Sequence, residues 1–164
     1  MDLYLVRHGC STWNREKRVQ GHQNPPLSSE GKAAVRRLAR HLHAQYGPFS
    51  PPHHVLVTSP LRRAYETSRI LSMKLGVTVV RRPNLQEAGL GEWEGRTVED
   101  IRRTERRRLE QWYRDPTRVR LKGGESIPSF QKRVRREISD LLYIYGEAQK
   151  IIVVTHGGWI STLL

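Results

Sequence analysis

The chain has 164 residues and a formal net charge of +13, from 29 Lys and Arg against 16 Asp and Glu. A chain of this length is predicted to form a single domain over residues 1–164 with its own hydrophobic core. Its single cysteine excludes an internal disulfide, and no apolar run in the sequence approaches the length of a membrane span. We therefore expect a soluble cytoplasmic protein and no membrane partner.

Three arginine-rich clusters carry much of the excess charge: Arg102–Arg103, Arg106–Arg108 and Lys132–Arg136. Such clusters suit acidic partners, including phosphorylated metabolites, phosphoproteins and nucleic acid. They lie at helical spacing between apolar residues and lack the interleaved aromatic side chains of a single-strand binder. This pattern favours solvated helix faces over a nucleic-acid site.

The first predicted element is a strand over Leu3–Val6, an apolar run followed at once by Arg7, His8 and Gly9. Ligands of open α/β sheets bind beyond the carboxyl ends of the strands. Arg7 and His8 are therefore expected at the rim of a pocket. The following stretch, Cys10–Leu27, is predicted as a long loop, and loops of that length are often functional.

Helices and strands are predicted to alternate from Ser28 to the end of the chain. The helices are expected from Ser28 or Ser29 to Gly47, Leu61 to Gly76, Thr97 to Tyr113, and Ser126 or Ile127 to Tyr145. Further strands are expected at Val55–Val57, Val77–Val80 and Ile151–Val154. This order is typical of βαβ units, and the sequence therefore predicts an α/β fold with a mostly parallel sheet.

A second strand also ends in His-Gly, because Ile151–Val154 is followed by Thr155, His156 and Gly157. Taken alone, each histidine is more simply explained as a residue that happens to follow a strand. The repeated pattern predicts that His8 and His156 share one site, at the same edge of the sheet.

The predicted pocket combines cations, a nucleophile and an acid. Arginine guanidinium groups match phosphate oxygens, and neutral imidazole can carry a covalent phosphoryl group. Clustered cations favour neutral imidazole, and a protonated carboxyl can supply the leaving group with its proton. The sequence has no Asp-rich metal cage, so we expect no metal and no cofactor. The members of the pocket are Arg7, His8, Asn14, Arg62, Glu87 and His156.

Six motifs along the chain carry a family resemblance: Arg7–Asn14, Leu27–Gly31, Thr58–Ala64 with Thr67, Leu85–Glu87 with Gly91–Gly95, Gly123–Ser126 and Thr155–Gly158. Because these motifs occur in the family's order, the chain resembles the histidine phosphatase superfamily, also called phosphoglycerate-mutase-like. The resemblance implies a three-layer αβα sandwich. Members normally continue further after the last motif, whereas this sequence stops eight residues after His156. Either the domain is a small version or residues beyond Leu164 are missing.

The resemblance also implies a two-step reaction. His8 attacks the phosphate and becomes phosphohistidine, and Glu87 protonates the leaving oxygen and then activates water. Glu92 and Glu94 are alternative proton donors, but Leu-x-Glu is the family's arrangement and favours Glu87.

Substrate contacts are implied for a wider set of residues. Ser11 stands where the family often has threonine, so its hydroxyl is expected to contact phosphate. The preceding acid of the family is replaced here by Cys10, which is either a reactive thiol or a small residue of the pocket wall. The implied substrate-binding set is Arg7, Ser11, Asn14, Gln20, Gly21, Arg62, Glu87, His156 and the backbone of Gly157.

Three functions remain open on the sequence alone. The first is metal-independent hydrolysis of a small phosphorylated metabolite, for which sugar phosphates, phosphoglycerates and α-ribazole phosphate are candidates. The second is a cofactor-dependent phosphoglycerate mutase, which normally has a longer insertion than residues 95–123 allow, so hydrolysis is favoured. The third is a non-catalytic binder of phosphoprotein or nucleic acid. The sequence leaves a homodimer open.

Overall fold

The computed structural model describes residues 1–49 and 53–164, and within them four strands form one parallel sheet in the order β1-β4-β2-β3. The strands are β1 (Asp2–Arg7), β2 (His54–Thr58), β3 (Val79–Arg81) and β4 (Lys150–Thr155). The predicted parallel α/β fold is confirmed.

Six α-helices and three short 3-10 turns lie in the described part of the chain. The helices are α1 (Thr12–Arg15), α2 (Ser29–Tyr46), α3 (Arg62–Leu75), α4 (Val98–Arg114), α5 (Ile127–Ile144) and α6 (Gly157–Leu163). The 3-10 turns are Pro83–Leu85, Gly91–Trp93 and Pro116–Arg118. None of the helices in the described ranges is both long and apolar enough to cross a membrane.

The central strand β4 separates two apolar layers. Ile152 and Val154 pack into the core beneath α2 and α3, whereas Ile151 and Val153 pack into the core beneath α5 and α6. All four side chains are fully buried. A parallel strand covered by helices on both faces is expected to be continuously apolar. The alternation along β4 therefore builds the predicted three-layer αβα sandwich.

Two local predictions differ from the structure. The third strand was expected at Val77–Val80 but begins at Val79, because the carbonyl of Val77 accepts from the Ser72 hydroxyl at 2.6 Å and closes the turn after α3. The expected loop after β1 contains the short helix α1. Ser11 caps it, since Ser11 Oγ accepts from the Asn14 N–H and Asn14 Oδ1 accepts from the Ser11 N–H.

A third apolar cluster joins α4 to the turn at Gly91–Trp93. The helix departs from α geometry at Glu105, whose φ is −136°. The Glu105 carboxylate accepts from Arg96, from the Trp93 indole and from Arg108, and these hydrogen bonds lower its pKa to about 2. This cluster anchors the segment that follows the third strand, where the predicted acid lies.

Two exposed arginines of α4 are paired within their own helix, whereas Arg108 also reaches Glu92 outside it. Arg102 contacts Glu99, and Arg103 contacts Asp100. Their side chains are 58% and 78% exposed. This arrangement matches the predicted solvated helix face.

One ion pair lies between the sheet and α5. The Glu137 carboxylate is fully buried, and Arg82 Nε donates to it at 2.7 Å. Removing one partner of a buried pair leaves an uncompensated charge, so we expect Arg82→Met to lower the free energy of unfolding by about 3–5 kcal/mol. Chemical denaturation measures this. Arg136→Met, on the exposed face of α5 and 3.9 Å from Asp140, is the control and should change stability little. Equal losses in both variants would contradict the expectation.

Candidate active site

The two predicted histidines leave neighbouring strands at the same edge of the sheet. Arg7 pairs with Thr155 in the parallel register of β1 and β4, so His8 and His156 follow side by side. Their ring centroids lie 5.1 Å apart. The structure therefore brings together two side chains that come from opposite ends of the sequence.

One ring nitrogen of His8, Nε2, does not carry the ring proton and so has a lone pair. Its Nδ1 lies 2.7 Å from the carbonyl oxygen of Gly9, which can only accept, so Nδ1 carries the proton of the neutral ring. Burial lowers the pKa of His8 to about 4, and the charges of Arg63 and Arg7 act in the same direction. At neutral pH the ring is uncharged and its Nε2 is a nucleophile.

His156 is fully buried and has a buried nitrogen without a partner. Its Nε2 lies 2.8 Å from Ser59 Oγ, which itself accepts from the Leu61 N–H. Ser59 can thus donate its hydroxyl hydrogen to Nε2, which leaves the ring proton on Nδ1. That Nδ1 has no hydrogen-bond partner among the residues the structure describes. Burial, followed by the charge of Arg63, lowers the pKa of His156 well below its usual value.

The arginine beside the histidines is Arg63, not the predicted Arg62. Arg62 lies on the exposed face of α3, where its Nε donates to Glu66 at 2.7 Å. Arg63 is 1% exposed, and it donates to the carbonyls of Gly21 at 2.8 Å and Gln23 at 2.7 Å. Its charge lowers the pKa of both histidines. The structure therefore corrects the assignment by one position.

Helical phase is the sequence signal that distinguishes the two arginines. Arg63 is four residues before Thr67 and eight before Leu71, and all three are buried. Arg63 is thus on the helix face that carries Thr67, whereas Arg62 is nine residues before Leu71 and lies on the opposite side of the helix from it.

Arg63 Nε, like His156 Nδ1, has no hydrogen-bond partner within the described residues. Burial lowers the pKa of Arg63 to about 10, so the guanidinium is still charged at neutral pH. A buried donor left unpaired costs about 1–3 kcal/mol. These two nitrogens next to His8 are suited to the oxygens of an anion.

Arg7 and Glu87 lie over a pair of consecutive glycines. The Arg7 guanidinium is so close to Gly157 that a Cβ added there would lie 3.4 Å from its carbon. Glu87 Oε2 accepts from the Gly158 N–H at 2.9 Å, and a Cβ on Gly158 would come within 2.5 Å of Oε1. Gly158 therefore admits the Glu87 carboxylate only because it lacks a side chain, whereas a Cβ at Gly157 would make ordinary van der Waals contact with Arg7.

The loop carrying Glu87 is held from behind by Arg133. Its guanidinium donates to the carbonyls of Asn84, Gln86 and Glu87 at 2.8, 2.9 and 3.2 Å. It also pairs with Glu125 at 2.6 Å. Sequence reasoning missed this residue, because it lay in a cluster interpreted as solvated. Arg133 is a positioning residue for the acid.

Glu92 and Glu94, the two alternative proton donors, accept hydrogen bonds from other parts of the chain. Glu92 accepts from Arg108 and from the Lys122 N–H. Glu94 accepts from the backbone N–H groups of His22 and Leu90. The geometry thus favours Glu87 as the acid that faces the site.

Three residues of the predicted binding set build the loop instead of facing a ligand. Ser11 is fully buried, and its hydroxyl lies 2.8 Å from Gln20 Oε1. Gly21 contributes the carbonyl that accepts from Arg63. The Ser11 hydroxyl is therefore enclosed within the loop, and its predicted contact with phosphate stays a prediction. Asn14 lines a recess of about 290 Å³ together with Arg7, His8 and Cys10.

Comparison with known proteins gives a consistent result. Residues 3–164 match the family model of the histidine phosphatase superfamily, branch 1. Phosphoserine phosphatase 1 of Hydrogenobacter thermophilus is 30% identical over 154 residues, which are 94% of this chain and 70% of that protein. A probable phosphoglycerate mutase GpmB of Serratia proteamaculans is 30% identical over 157 residues, 96% of this chain and 70% of that protein.

Solved structures share the fold. A mycobacterial glucosyl-3-phosphoglycerate phosphatase complexed with VO3 superposes with a TM-score of 0.87 at 30% identity, covering 98% of this chain and 77% of that chain. In the ranges that the structure describes, no group of three or more His, Cys, Asp or Glu side chains is arranged to hold a metal ion.

The low pKa of His8 predicts a pH-dependent stability. An unfolded histidine binds a proton near pH 6.5, whereas folded His8 does so only near pH 4. Stability is therefore full above about pH 6.5 and is lost as the pH falls towards 4, by about 3 kcal/mol from this residue. His8→Asn should remove that part of the slope in denaturation measured between pH 7.5 and 4.

The control is His41→Asn, an exposed histidine on α2. It should keep the pH dependence of the unaltered protein. If His8→Asn and the unaltered protein lose stability in parallel, the folded ring is not held neutral.

Proposed function

The chain belongs to the histidine phosphatase superfamily, branch 1, and on that premise we propose that it hydrolyses small phosphomonoesters through a phosphohistidine on His8. The observation that carries the proposal is the neutral His8 ring together with two buried nitrogens, His156 Nδ1 and Arg63 Nε, that have no hydrogen-bond partner among the residues the structure describes. The phosphorus of a phosphoryl group would be the electrophile that His8 attacks, and its oxygens would accept hydrogen bonds from His156 Nδ1 and Arg63 Nε. The phosphatase names among its relatives support the same activity.

In the first step His8 Nε2 attacks phosphorus and the bond from phosphorus to the alcohol oxygen breaks. Glu87 gives that oxygen its proton, so a neutral alcohol leaves. Arg63 and Arg7 balance the charge on the non-bridging oxygens, which is the work that magnesium performs in many phosphoryl transfers. We propose that no metal is required.

In the second step Glu87, now a carboxylate, takes a proton from water as the water oxygen attacks the phosphohistidine. Inorganic phosphate leaves and the His8 ring returns to its neutral form. The bonds of Arg133 to the backbone of the Glu87 loop hold the carboxylate in one place through both steps. One residue thus serves as acid and then as base.

Phosphoglycerate mutase activity is the second candidate, and the relative from Serratia proteamaculans favours it by name. A mutase would use the same phosphohistidine but return the phosphoryl group to a phosphoglycerate instead of water. Product analysis with 3-phosphoglycerate separates the two. Free phosphate as the main product supports hydrolysis, and isomerised phosphoglycerate supports the mutase.

Arg63, and not Arg62, should be required for turnover. We expect Arg63→Ala to lower kcat/KM on p-nitrophenyl phosphate by about 10²–10³-fold, because a fixed charge beside the phosphoryl group is lost. Arg62→Ala, one position along the same helix, should retain activity close to that of the unaltered protein. Arg63→Lys is the folding control, since it keeps the buried charge but loses the planar guanidinium. We expect vanadate to raise the melting temperature of the unaltered protein but not that of Arg63→Lys. A larger loss in Arg62→Ala would contradict the proposed arrangement.

The role of Glu87 predicts a dependence on the leaving group. p-Nitrophenolate departs readily without a proton, whereas an alkoxide does not. Glu87→Gln should therefore lower the rate of enzyme phosphorylation by about 10²–10⁴-fold with an alkyl phosphate and far less with p-nitrophenyl phosphate. Rapid-quench measurement of the burst of alcohol or nitrophenol gives both rates.

His8→Ala completes this experiment. It should form no acid-labile phosphoenzyme with either substrate, and a chelator should leave the unaltered protein fully active. Full turnover in His8→Ala would exclude the phosphohistidine route.

A further inference from the structure

A second, larger cavity opens beside the glycine pair. It has a volume of about 520 Å³, and Glu87 and Gly158 form its edge. Gly158 follows Gly157, against which Arg7 packs, and Arg7 also lines the recess at His8. The proposed proton donor lines the cavity, and its charge acts on Arg63 of the site. An alcohol that receives its proton from Glu87 would extend into the cavity.

The walls of the cavity are mainly apolar. Leu90, Trp112, Ile127 and Phe130 line it, together with Ala88 and Pro116. The other lining residues include Gln131, Ser161 and Thr162, which carry neutral polar groups. No lysine, arginine or histidine of the described residues lines it. Glu87 is its one charged lining residue in those ranges, and it is an acid.

The apolar wall is held in place by other aromatic contacts. Trp112 packs edge-on against the buried Trp93, with ring centroids 5.6 Å apart. Trp93 is itself fixed by its indole hydrogen bond to Glu105. Phe130 is 2% exposed and lies under the guanidinium of Arg133. The cavity is therefore largely formed before a ligand arrives, as small-molecule sites usually are.

We propose that the preferred substrate is the phosphate ester of an uncharged, largely apolar alcohol, whose carbon body fills the cavity between Trp112 and Phe130. This inference rests on the proposed hydrolysis and names its substrate class. A substrate with a carboxylate or a second phosphate would place that charge against apolar walls with no cation to pair it, which is costly. The neutral polar groups of Gln131 and Thr162 can accept or donate a hydrogen bond to one distant polar atom of the alcohol.

A homologous series of esters tests this substrate class. Straight-chain alkyl phosphates from methyl to hexyl have leaving groups of similar basicity, so their reactivity differs mainly in the burial of the chain. We expect kcat/KM to rise about fourfold per methylene until the cavity is filled. 3-Phosphoglycerate and phosphoserine, which carry carboxylates, should be poorer substrates than an alkyl phosphate of similar length.

Trp112→Ala should flatten this series, because it removes one wall and leaves the catalytic groups in place. Tyr113→Ala is the matched control, since Tyr113 is the next aromatic residue on α4 but is 67% exposed and does not line this cavity. Gln131→Arg should reverse the preference by pairing with a substrate carboxylate. A series independent of chain length, or one that Trp112→Ala leaves unchanged, would overturn the inference.

A binding measurement separates failure of this inference from failure of the proposed hydrolysis. Calorimetric titration with 1-hexanol does not depend on turnover. We expect 1-hexanol to bind the unaltered protein and Tyr113→Ala, and to bind Trp112→Ala at least tenfold more weakly. If 1-hexanol binds in this pattern but no ester is hydrolysed, the proposed hydrolysis is wrong and the assigned apolar site stands. If esters are hydrolysed but 1-hexanol does not bind and chain length has no effect, the substrate class is wrong and the hydrolysis stands.

Discussion

The burial of the Arg63 guanidinium is the constraint on which the rest of the site depends. Removing a charge from water is costly unless hydrogen bonds and opposite charges compensate it. Two backbone carbonyls, those of Gly21 and Gln23, accept its hydrogen bonds, and the carboxylates of Glu87 and Glu94 raise its pKa against the effect of burial. Glu94 in turn accepts from the His22 N–H, so it holds the loop that supplies the carbonyls. The long segment after β1 is thus ordered around one side chain, and both histidines are held neutral by burial and by that side chain's charge.

Much of this architecture could be predicted from local patterns. Apolar runs ending in His-Gly identified two strands and the edge at which they meet, because parallel strands place their carboxyl ends together. His8 and His156 follow from that reasoning, and the structure brings the two rings to 5.1 Å. Glu87 is favoured instead by the family resemblance of its Leu-x-Glu motif. Arg62 and Arg63 are adjacent and chemically identical, so only the helical phase of α3 distinguishes the buried one from the exposed one. The sequence shows that Ser11 has a hydroxyl and Gln20 has an amide, but not which way either side chain points.

Residues that act on the site through the backbone were harder to find. Arg133 stabilises the acid loop through three carbonyls, and carbonyls have no sequence signature. The apolar cavity draws residues from α4, α5 and α6 and from the turn before Trp93, which are far apart in the chain. No local pattern in the sequence shows that these residues line one cavity, because only the packing of the helices brings them together. The same is true of the glycine pair, whose importance comes from the guanidinium and carboxylate that lie against it.

The pairing of β1 with β4 has a consequence for the order of events during synthesis. His8 leaves the ribosome about 150 residues before its partner His156 does. β1 and β2 are both translated before β4, but they cannot pair with each other in the final sheet, because β4 lies between them. Contacts of such high sequence separation form slowly and late. A nascent chain therefore carries β1 without its partner β4 until β4 has been translated, and the two rings can meet only after that point.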